Sequence, residues 1–129
     1  MLEKSQPLAT VAVRDLAVAS RFYENVLGLK RVGDEQGEAY TYEAGSGQLL
    51  VYRSQFAGTN QATAVTWIIA SSVDELVKTL EGKGVKFEDY DMPQVKREGH
   101  VHVGGNQRVA WFKDLDGNIH ALAQGGNSR

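Results

Sequence analysis

The chain has 129 residues, of which 42% are hydrophobic and 23% are charged, with a formal net charge of -2 and no cysteine. This size and balance suit a soluble globular domain with a real hydrophobic core. The charge provides no clustered basic surface for a nucleic acid, and the lack of cysteine excludes disulfides, thiolate nucleophiles and Cys-zinc sites. No apolar run approaches the roughly 20 residues that span a membrane. The first residues lack the apolar core of a signal peptide, so we expect a cytoplasmic protein.

The first half of the chain predicts a strand, a helix and three further strands. The β-branched run Ala9–Val13 predicts a strand. Asp15 stands where an N-cap would begin a helix from Leu16 to about Leu27, whose apolar residues share one face. Gly28 follows at a position where helices commonly end in a left-handed residue. Strands are then predicted at Leu29–Val32, Ala39–Glu43 and Gln48–Ser54.

The second half repeats this order. Ala64–Ala70 predicts a strand, and Ser72 with Glu75 has the spacing of a helix capping box. Gly84 closes the second helix, as Gly28 closes the first. Strands are then predicted at Val85–Tyr90, His100–Val103, Arg108–Lys113 and Asn118–Ala123.

The two helix-closing glycines lie about half a chain length apart, and this internal repetition decides the predicted architecture. The fold class is α+β, with two βαβββ modules. Module one covers about residues 6–54, a polar linker covers 55–63, and module two covers about 64–124. Each module has one helix and too little core to stand alone, so residues 1–129 are predicted to form a single domain.

Two stretches and the repeat resemble a known family. Val13-Arg14-Asp15-Leu16, followed by Phe22-Tyr23 and Leu27-Gly28-Leu29, is similar to the opening of vicinal oxygen chelate proteins. The segment WFKDLDGN at 111–118 is similar to their closing Asp-Pro-Asp-Gly-Asn turn, with Leu115 in place of proline. The chain thus resembles glyoxalases, bleomycin-resistance proteins and extradiol dioxygenases. The resemblance implies a curved mixed sheet with helices on its outer face, and a homodimer with a crevice near or across the subunit interface.

Enzymes of this family hold a divalent metal on the inner face of the sheet. The resemblance places the metal-ligand positions at Leu8, Val65, Ala121 and a residue within Leu50–Tyr52. None of these side chains is a carboxylate or an imidazole, so the resemblance implies no metal there and no cofactor. A register shift of one residue would substitute Ala9, Val11, Ala64, Thr66, Leu122 or His120, of which only His120 could bind a metal.

A second metal hypothesis rests on His100 and His102. Alternation along a strand would place both imidazoles on one side, where His120 or Glu98 could add a ligand. The alternative, which we favour, is that they are surface histidines, because no carboxylate–histidine spacing supports a site. The aspartates of the closing turn lack the later glycine and carboxylate of a calcium loop, so calcium is excluded.

An apolar crevice would suit a planar or aromatic ligand held by stacking and burial. The candidate ligand-binding residues are those that alternation along the strands places on the inner face, starting from the inward positions that the resemblance implies. No catalytic residue can be assigned. The candidates are Thr10, Tyr52, Trp67, Ile69, Trp111 and Ala121. For each aromatic candidate, packing in the core is the competing interpretation.

Three functions follow as hypotheses. The first is a metal-independent protein, similar to the bleomycin-resistance type, that binds a small hydrophobic or aromatic molecule. The second is an enzyme: a lyase or dioxygenase with a metal on displaced ligands such as His100, His102 and His120, or a metal-free isomerase or lyase. The third is a scaffold whose dimer surface matters and whose crevice has no ligand.

Overall fold

The computed structural model describes residues 1–125 and divides into two units, Met1–Asn60 and a second that begins at Gln61. The division falls within the segment predicted as the linker. Each unit contains its own β-sheet and one α-helix. The α+β class and the repeated module pattern are therefore confirmed, with the strands arranged as two sheets.

The first unit has four strands in the order β1-β4-β3-β2, with β1 parallel to β4 and the other pairs antiparallel. Helix α1 begins at Leu16 because the carboxylate of Asp15 accepts the N–H of Val18 at 3.1 Å. The elements are β1 (Ala9–Val13), α1 (Leu16–Arg21), β2 (Lys30–Asp34), β3 (Ala39–Ala44) and β4 (Gly47–Arg53).

The predicted helix from Leu16 to Leu27 changes its winding halfway. The segment Phe22–Val26 is a π-helical turn, closed by the N–H of Leu27 donating to the carbonyl of Phe22 at 3.0 Å. Tyr23 is fully buried in this turn and stacks on Tyr42 of β3, with ring centroids 6.0 Å apart. The wider turn therefore belongs to the core of the first unit.

The second unit has six strands. Their order is β5-β10-β9-β8-β7, and β6 also pairs with β9. Helix α2 begins after Ser72, whose hydroxyl accepts the N–H of Glu75 at 3.2 Å as the capping spacing predicted. The elements are β5 (Thr63–Ile68), α2 (Val73–Gly82), β6 (Phe87–Glu88), β7 (Lys96–Glu98), β8 (Val101–Gly104), β9 (Gln107–Lys113) and β10 (Ile119–Gln124).

Two strand predictions in this unit need correction. The run Val85–Tyr90 forms a strand only at Phe87–Glu88, because β6 shares the edge of β9 with β8 and pairs with only two of its residues. Strand β7 at Lys96–Glu98 was not predicted, since its three residues are charged and exposed and show no alternating pattern. No helix among the described residues has both the length and the apolar character needed to cross a membrane.

The two sheets repeat one pairing scheme. In each unit the first strand runs parallel to the last, as β1 does with β4 and β5 with β10. The last strand then pairs antiparallel with the one before it, β3 or β9. The strands β6 and β8 together occupy the place along β9 that β2 occupies along β3.

Candidate functional site

In the first unit, one face of the sheet is covered by the helix and the other is open. The covered face carries buried apolar side chains, which are Val11, Val13, Tyr42, Leu49 and Val51. The opposite side chains of β1 and β4 pair as Thr10 with Leu50 and Ala12 with Tyr52. Thr10 is exposed, and Tyr52 is 38% exposed. The predicted residues Thr10 and Tyr52 therefore share the face that α1 leaves open.

Two contacts identify the helix-covered face of the second sheet. The N–H of Val73 in α2 donates to the side-chain oxygen of Gln124 at 2.8 Å, and Arg108 binds Asp74 of the same helix. Gln124 and Arg108 are partners in the β9–β10 register. Side chains alternate along a strand, so this face also carries His120 and Leu122 of β10 with Ala110 and Phe112 of β9.

The opposite face of the second sheet carries a half-buried tryptophan among small and aliphatic side chains. Trp111 of β9 pairs with Ala121 of β10, and Ala121 pairs with Thr66 of β5. The next residues along the same face are Val109, Ala123 and Ile68, of which Ala123 pairs with the other two. Ile68 is 76% exposed. We call this surface, defined by Thr66, Ile68, Trp111 and Ala121, the open face of the second unit.

Trp67 does not lie on the open face. Its indole Nε1 donates to Nδ1 of His120 at 2.9 Å, and its register partner is Leu122. The prediction that Val65, Trp67 and Ile69 share a face with Ala121 is therefore wrong. By alternation Ile69, just beyond the end of β5, belongs to the side of Trp67.

The error has a local cause in the connection to the helix. In the first unit a buried, helix-facing residue, Val13, lies two positions before the cap Asp15. In the second unit Trp67, on the helix-covered face, lies five positions before the cap Ser72. The number of positions from a helix-facing strand residue to the cap is thus even in the first unit and odd in the second. Counting back the same number of residues from both caps therefore selects the wrong face of β5.

The structure also decides which residues occupy the metal positions that the resemblance implied. On β5 the open-face residue is Thr66 instead of Val65, while Ala121 lies on the open face as expected. In the first unit Leu50 and Tyr52 lie on the open face. None of these side chains offers a carboxylate or an imidazole, so the donor set does not fit a divalent metal. Within residues 1–125, no cluster of three or more histidine, aspartate and glutamate side chains could hold one.

His102 lies beside the open face with both ring nitrogens occupied. Its Nε2 accepts the N–H of Tyr90 at 2.9 Å, and its Nδ1 lies 3.2 Å from the carbonyl oxygen of Val109. A carbonyl can only accept, so Nδ1 carries the proton and the imidazole is neutral. The ring is 2% exposed and packs edge-to-face against Trp111 at 4.8 Å. His102 therefore serves as a wall of an aromatic cluster.

Tyr90 completes this cluster. Its ring meets Trp111 edge-to-face at 5.3 Å and His102 at 5.9 Å. Burial, together with the charge of Glu88, raises the pKa of the Tyr90 phenol, so it stays neutral at physiological pH. Sequence reasoning missed Tyr90 as a site residue, because its nearness to Trp111 follows from the pairing of Glu88 with Trp111, which the sequence pattern does not show.

His100 and His102 do not point to the same side. The ring of His100 stacks on Phe87, which pairs with Phe112 on the helix-covered face. Its nitrogens contact the carboxylates of Asp89 and Glu81. The hypothesis of a two-histidine chelate is therefore wrong, because His100 precedes β8 and turns toward α2. The favoured interpretation, that both are surface histidines, is wrong for His102, which is buried because its ring packs on Trp111.

His120 is fully buried on the helix-covered face and stacks on Phe112, with centroids 4.8 Å apart and planes 7° from parallel. Burial lowers the pKa of His120 to about 4, against a smaller opposite effect from the Asp114 charge. It is thus a neutral core residue, and it shares no site with His100 or His102.

The two modules share one scheme of strand pairing. In each module the helix covers one face of the sheet and leaves the opposite face open, and these features define the class of fold. The sequence model of the Glyoxalase/Bleomycin resistance protein/Dioxygenase superfamily matches residues 6–121. The chain belongs to this superfamily.

Solved structures show the same fold at low sequence identity. Lactoylglutathione lyase from Agrobacterium tumefaciens is 18% identical, over 95% of this chain and 94% of that one, with a TM-score of 0.69. An integron cassette protein from the mobile metagenome of V. cholerae is 21% identical over 96% and 97%, with a TM-score of 0.65. A glyoxalase/bleomycin resistance protein/dioxygenase from Nocardioides is 18% identical over 100% and 90%, with a TM-score of 0.66. No curated protein sequence matches the chain significantly.

Proposed function

We propose that this protein binds a small hydrophobic or aromatic molecule on the open face of the second unit without using a metal. The observation that carries the proposal is the aromatic cluster of Tyr90, His102 and Trp111 beside the apolar residues Ile68 and Ala121. Aromatic side chains bind planar ligands by offset stacking or edge-to-face contact.

The polar groups near the cluster are suited to an uncharged ligand. The phenol of Tyr90, the indole of Trp111 and the hydroxyl of Thr66 are neutral groups that can orient a ligand by hydrogen bonds. Two charged residues pair with members of the cluster, and each has a partner of opposite charge. Glu88 pairs with Trp111 and lies 3.7 Å from Lys113, while Arg97 pairs with His102 and lies 3.1 Å from Asp89. The proposal therefore favours neutral aromatic molecules over anions or cations.

The proposal includes a homodimer in the cytoplasm. Exposed apolar side chains on both open faces, among them Tyr52 and Ile68, are the kind of surface that a second copy or a ligand covers. Light scattering coupled to gel filtration measures the oligomeric state directly, and a monomer at all concentrations would remove this part of the proposal.

The first test is elemental analysis of purified untagged protein, with thermal shifts on adding zinc, nickel, manganese or iron(II). We expect no stoichiometric metal and no metal-dependent rise in melting temperature. A stoichiometric metal, or a rise that is lost in a His100→Ala/His102→Ala variant, would favour the enzyme hypothesis instead.

The second test uses the two tryptophans as reporters of the two sheet faces. The indole N–H resonances of 15N-labelled protein are followed while unlabelled phenols, naphthalenes and indoles are added. A ligand on the open face shifts the Trp111 resonance and leaves that of Trp67 in place. A shift confined to Trp67, or none from any compound, contradicts the proposal.

A further inference from the structure

His100 is held between two carboxylates from different elements. Its Nδ1 lies 2.7 Å from Oδ1 of Asp89, and its Nε2 lies 3.0 Å from Oε2 of Glu81. An ionised carboxylate can only accept a hydrogen bond, whereas a neutral imidazole carries a single N–H. Both contacts can be hydrogen bonds only when His100 is the doubly protonated cation.

The two contacts of His100 join several elements of the second unit. Glu81 lies in the last turn of α2, and Asp89 directly follows β6. Asp89 also contacts Arg97 of β7, at 3.1 Å. The ring of His100 lies on Phe87 of β6. Lys86 lines the same surface hollow, of about 390 Å³, as Glu81 and His100. We call the arrangement of Glu81, His100 and Asp89 the histidine clasp.

The histidine clasp lies one residue away from the aromatic cluster. Asp89 is bound by His100, and the next residue, Tyr90, donates its backbone N–H to His102 and packs its ring on Trp111. One planar peptide unit joins the two residues, so a backbone shift at Asp89 is carried to the N–H of Tyr90.

We propose that the protonation state of His100 regulates the proposed ligand face, with the closed histidine clasp holding Tyr90 against Trp111 and its opening releasing Tyr90. The inference rests on the proposed function for its ligand-binding consequence, while its conformational part concerns the free protein. Under this inference ligand binding depends on pH through His100, which lies outside the aromatic cluster.

The direction of the pH dependence follows from the contacts. Hydrogen bonding to Asp89, together with the negative charges of Asp89 and Glu81, raises the pKa of His100 above its ordinary value against a smaller effect of burial. The histidine clasp is therefore complete below the ordinary histidine pKa and opens as pH rises through the raised value. Once neutral, His100 can keep only one carboxylate, and Arg97 becomes the cation that remains on Asp89.

The test is a pH titration of the free protein by NMR from about pH 6 to about pH 9. The ring 13C resonances of His100 and the indole N–H of Trp111 are followed together. We expect one shared midpoint, which a Glu81→Gln variant lowers. Glu75→Gln, on an exposed carboxylate of the same helix that does not contact His100, is the matched control and leaves the midpoint unchanged.

A His100→Gln variant tests whether His100 is the group that Trp111 follows, since Trp111 does not touch His100 and packs directly on His102. The pH response of the Trp111 indole should disappear in this variant. If His100 titrates while Trp111 stays still, or if Trp111 responds equally in His100→Gln, the inference is overturned.

The ligand arm uses unlabelled indole, which carries no charge over this range. We expect its affinity to fall about fivefold as the histidine clasp opens, and not to change with pH in His100→Gln. If indole and every related compound fail to bind while Trp111 still follows His100, the proposed function fails and the conformational coupling stands. If binding occurs but is independent of pH, the regulatory inference fails alone.

Discussion

The indole Nε1 of Trp67 donates a 2.9 Å hydrogen bond to Nδ1 of His120, on the face of the second sheet that α2 covers. Trp67 therefore packs against the core of the second unit and does not line the open face. Because Nδ1 accepts this bond, the imidazole of His120 must be the neutral tautomer protonated at Nε2. Phe112 stacks on the same ring. One contact thus decides both the role of the tryptophan and the charge state of the histidine.

Acid should destabilise the protein through His120. In the unfolded chain this imidazole takes up a proton near pH 6.5, whereas burial lowers the pKa in the folded state to about 4. Between these values the unfolded state binds more protons, so the free energy of unfolding falls as pH falls, by about 3 kcal/mol from this residue. Urea unfolding at a series of pH values measures the effect.

A His120→Phe variant is the control for that titration. Phenylalanine cannot take up a proton, so the fall in stability between about pH 6.5 and about pH 4 should be smaller than in the parent protein. At neutral pH the variant should be less stable by about 1 to 3 kcal/mol, because the partly buried indole N–H of Trp67 loses its acceptor. Identical pH profiles in the two proteins would contradict the assignment of a buried neutral histidine.

The two tryptophans should respond oppositely to substitution. Trp67→Phe should lower the free energy of unfolding by about 1 to 3 kcal/mol, since it leaves Nδ1 of His120 without its donor, while ligand affinity stays unchanged. Trp111→Leu should reduce ligand affinity at least about tenfold, because it removes an aromatic wall of the open face. Chemical unfolding and a binding titration are measured on both variants, and loss of binding in Trp67→Phe alone would reverse the assignment of the faces.

Two glycines near the end of α2 offer a matched pair. Gly84 has φ of +93°, where an L side chain is strained, whereas Gly82 is helical and a methyl group there would meet open space. Gly84→Ala should destabilise the protein by about 1 kcal/mol. Gly82→Ala should stabilise it by up to about 1 kcal/mol, because alanine has the higher helix propensity. Thermal unfolding of the two variants checks both signs, and a gain in stability from Gly84→Ala would show that the backbone relaxes there.

The closing turn should accept proline in place of Leu115. The N–H of Gly117 donates to the carbonyl of Asp114 at 3.1 Å, which places Leu115 at the second position of a β-turn. Proline suits this position, and Leu115 is 65% exposed, so no core contact is lost. Leu115→Pro should raise the free energy of unfolding by about 0.4 to 1 kcal/mol, through a less flexible unfolded chain. A lower melting temperature would show that φ of Leu115 does not match proline.

Short-range patterns in the sequence predicted much of the fold. Asp15 and Ser72 cap the two helices as their spacing indicated, and β1 has the predicted bounds. These features depend on residues within one helical turn or one strand, where side chain and backbone contact each other directly. The bounds of β6 could not be predicted in this way, because they depend on how β6 and β8 share the edge of β9.

The candidate site was predicted only in part for the same reason. Thr10 and Tyr52 lie on the open face of the first unit, and Trp111 and Ala121 lie on that of the second. Trp67 and Ile69 do not lie on that face. Successive residues of a strand face opposite sides, so a change of one residue in the segment between β5 and the cap of α2 reverses the face predicted for every residue of β5. Ligand binding by the residues on the open faces stays a prediction.

The sequence by itself determined the two-module α+β organisation. This organisation follows from residue type and from periodicity within a module, which are local properties of the chain. Only the tertiary structure decided that Trp67 packs on His120, that Tyr90 joins Trp111, and that His100 and His102 point apart. These contacts join residues from different strands, and their partners are chosen by sheet register and helix packing, which no single stretch of sequence encodes.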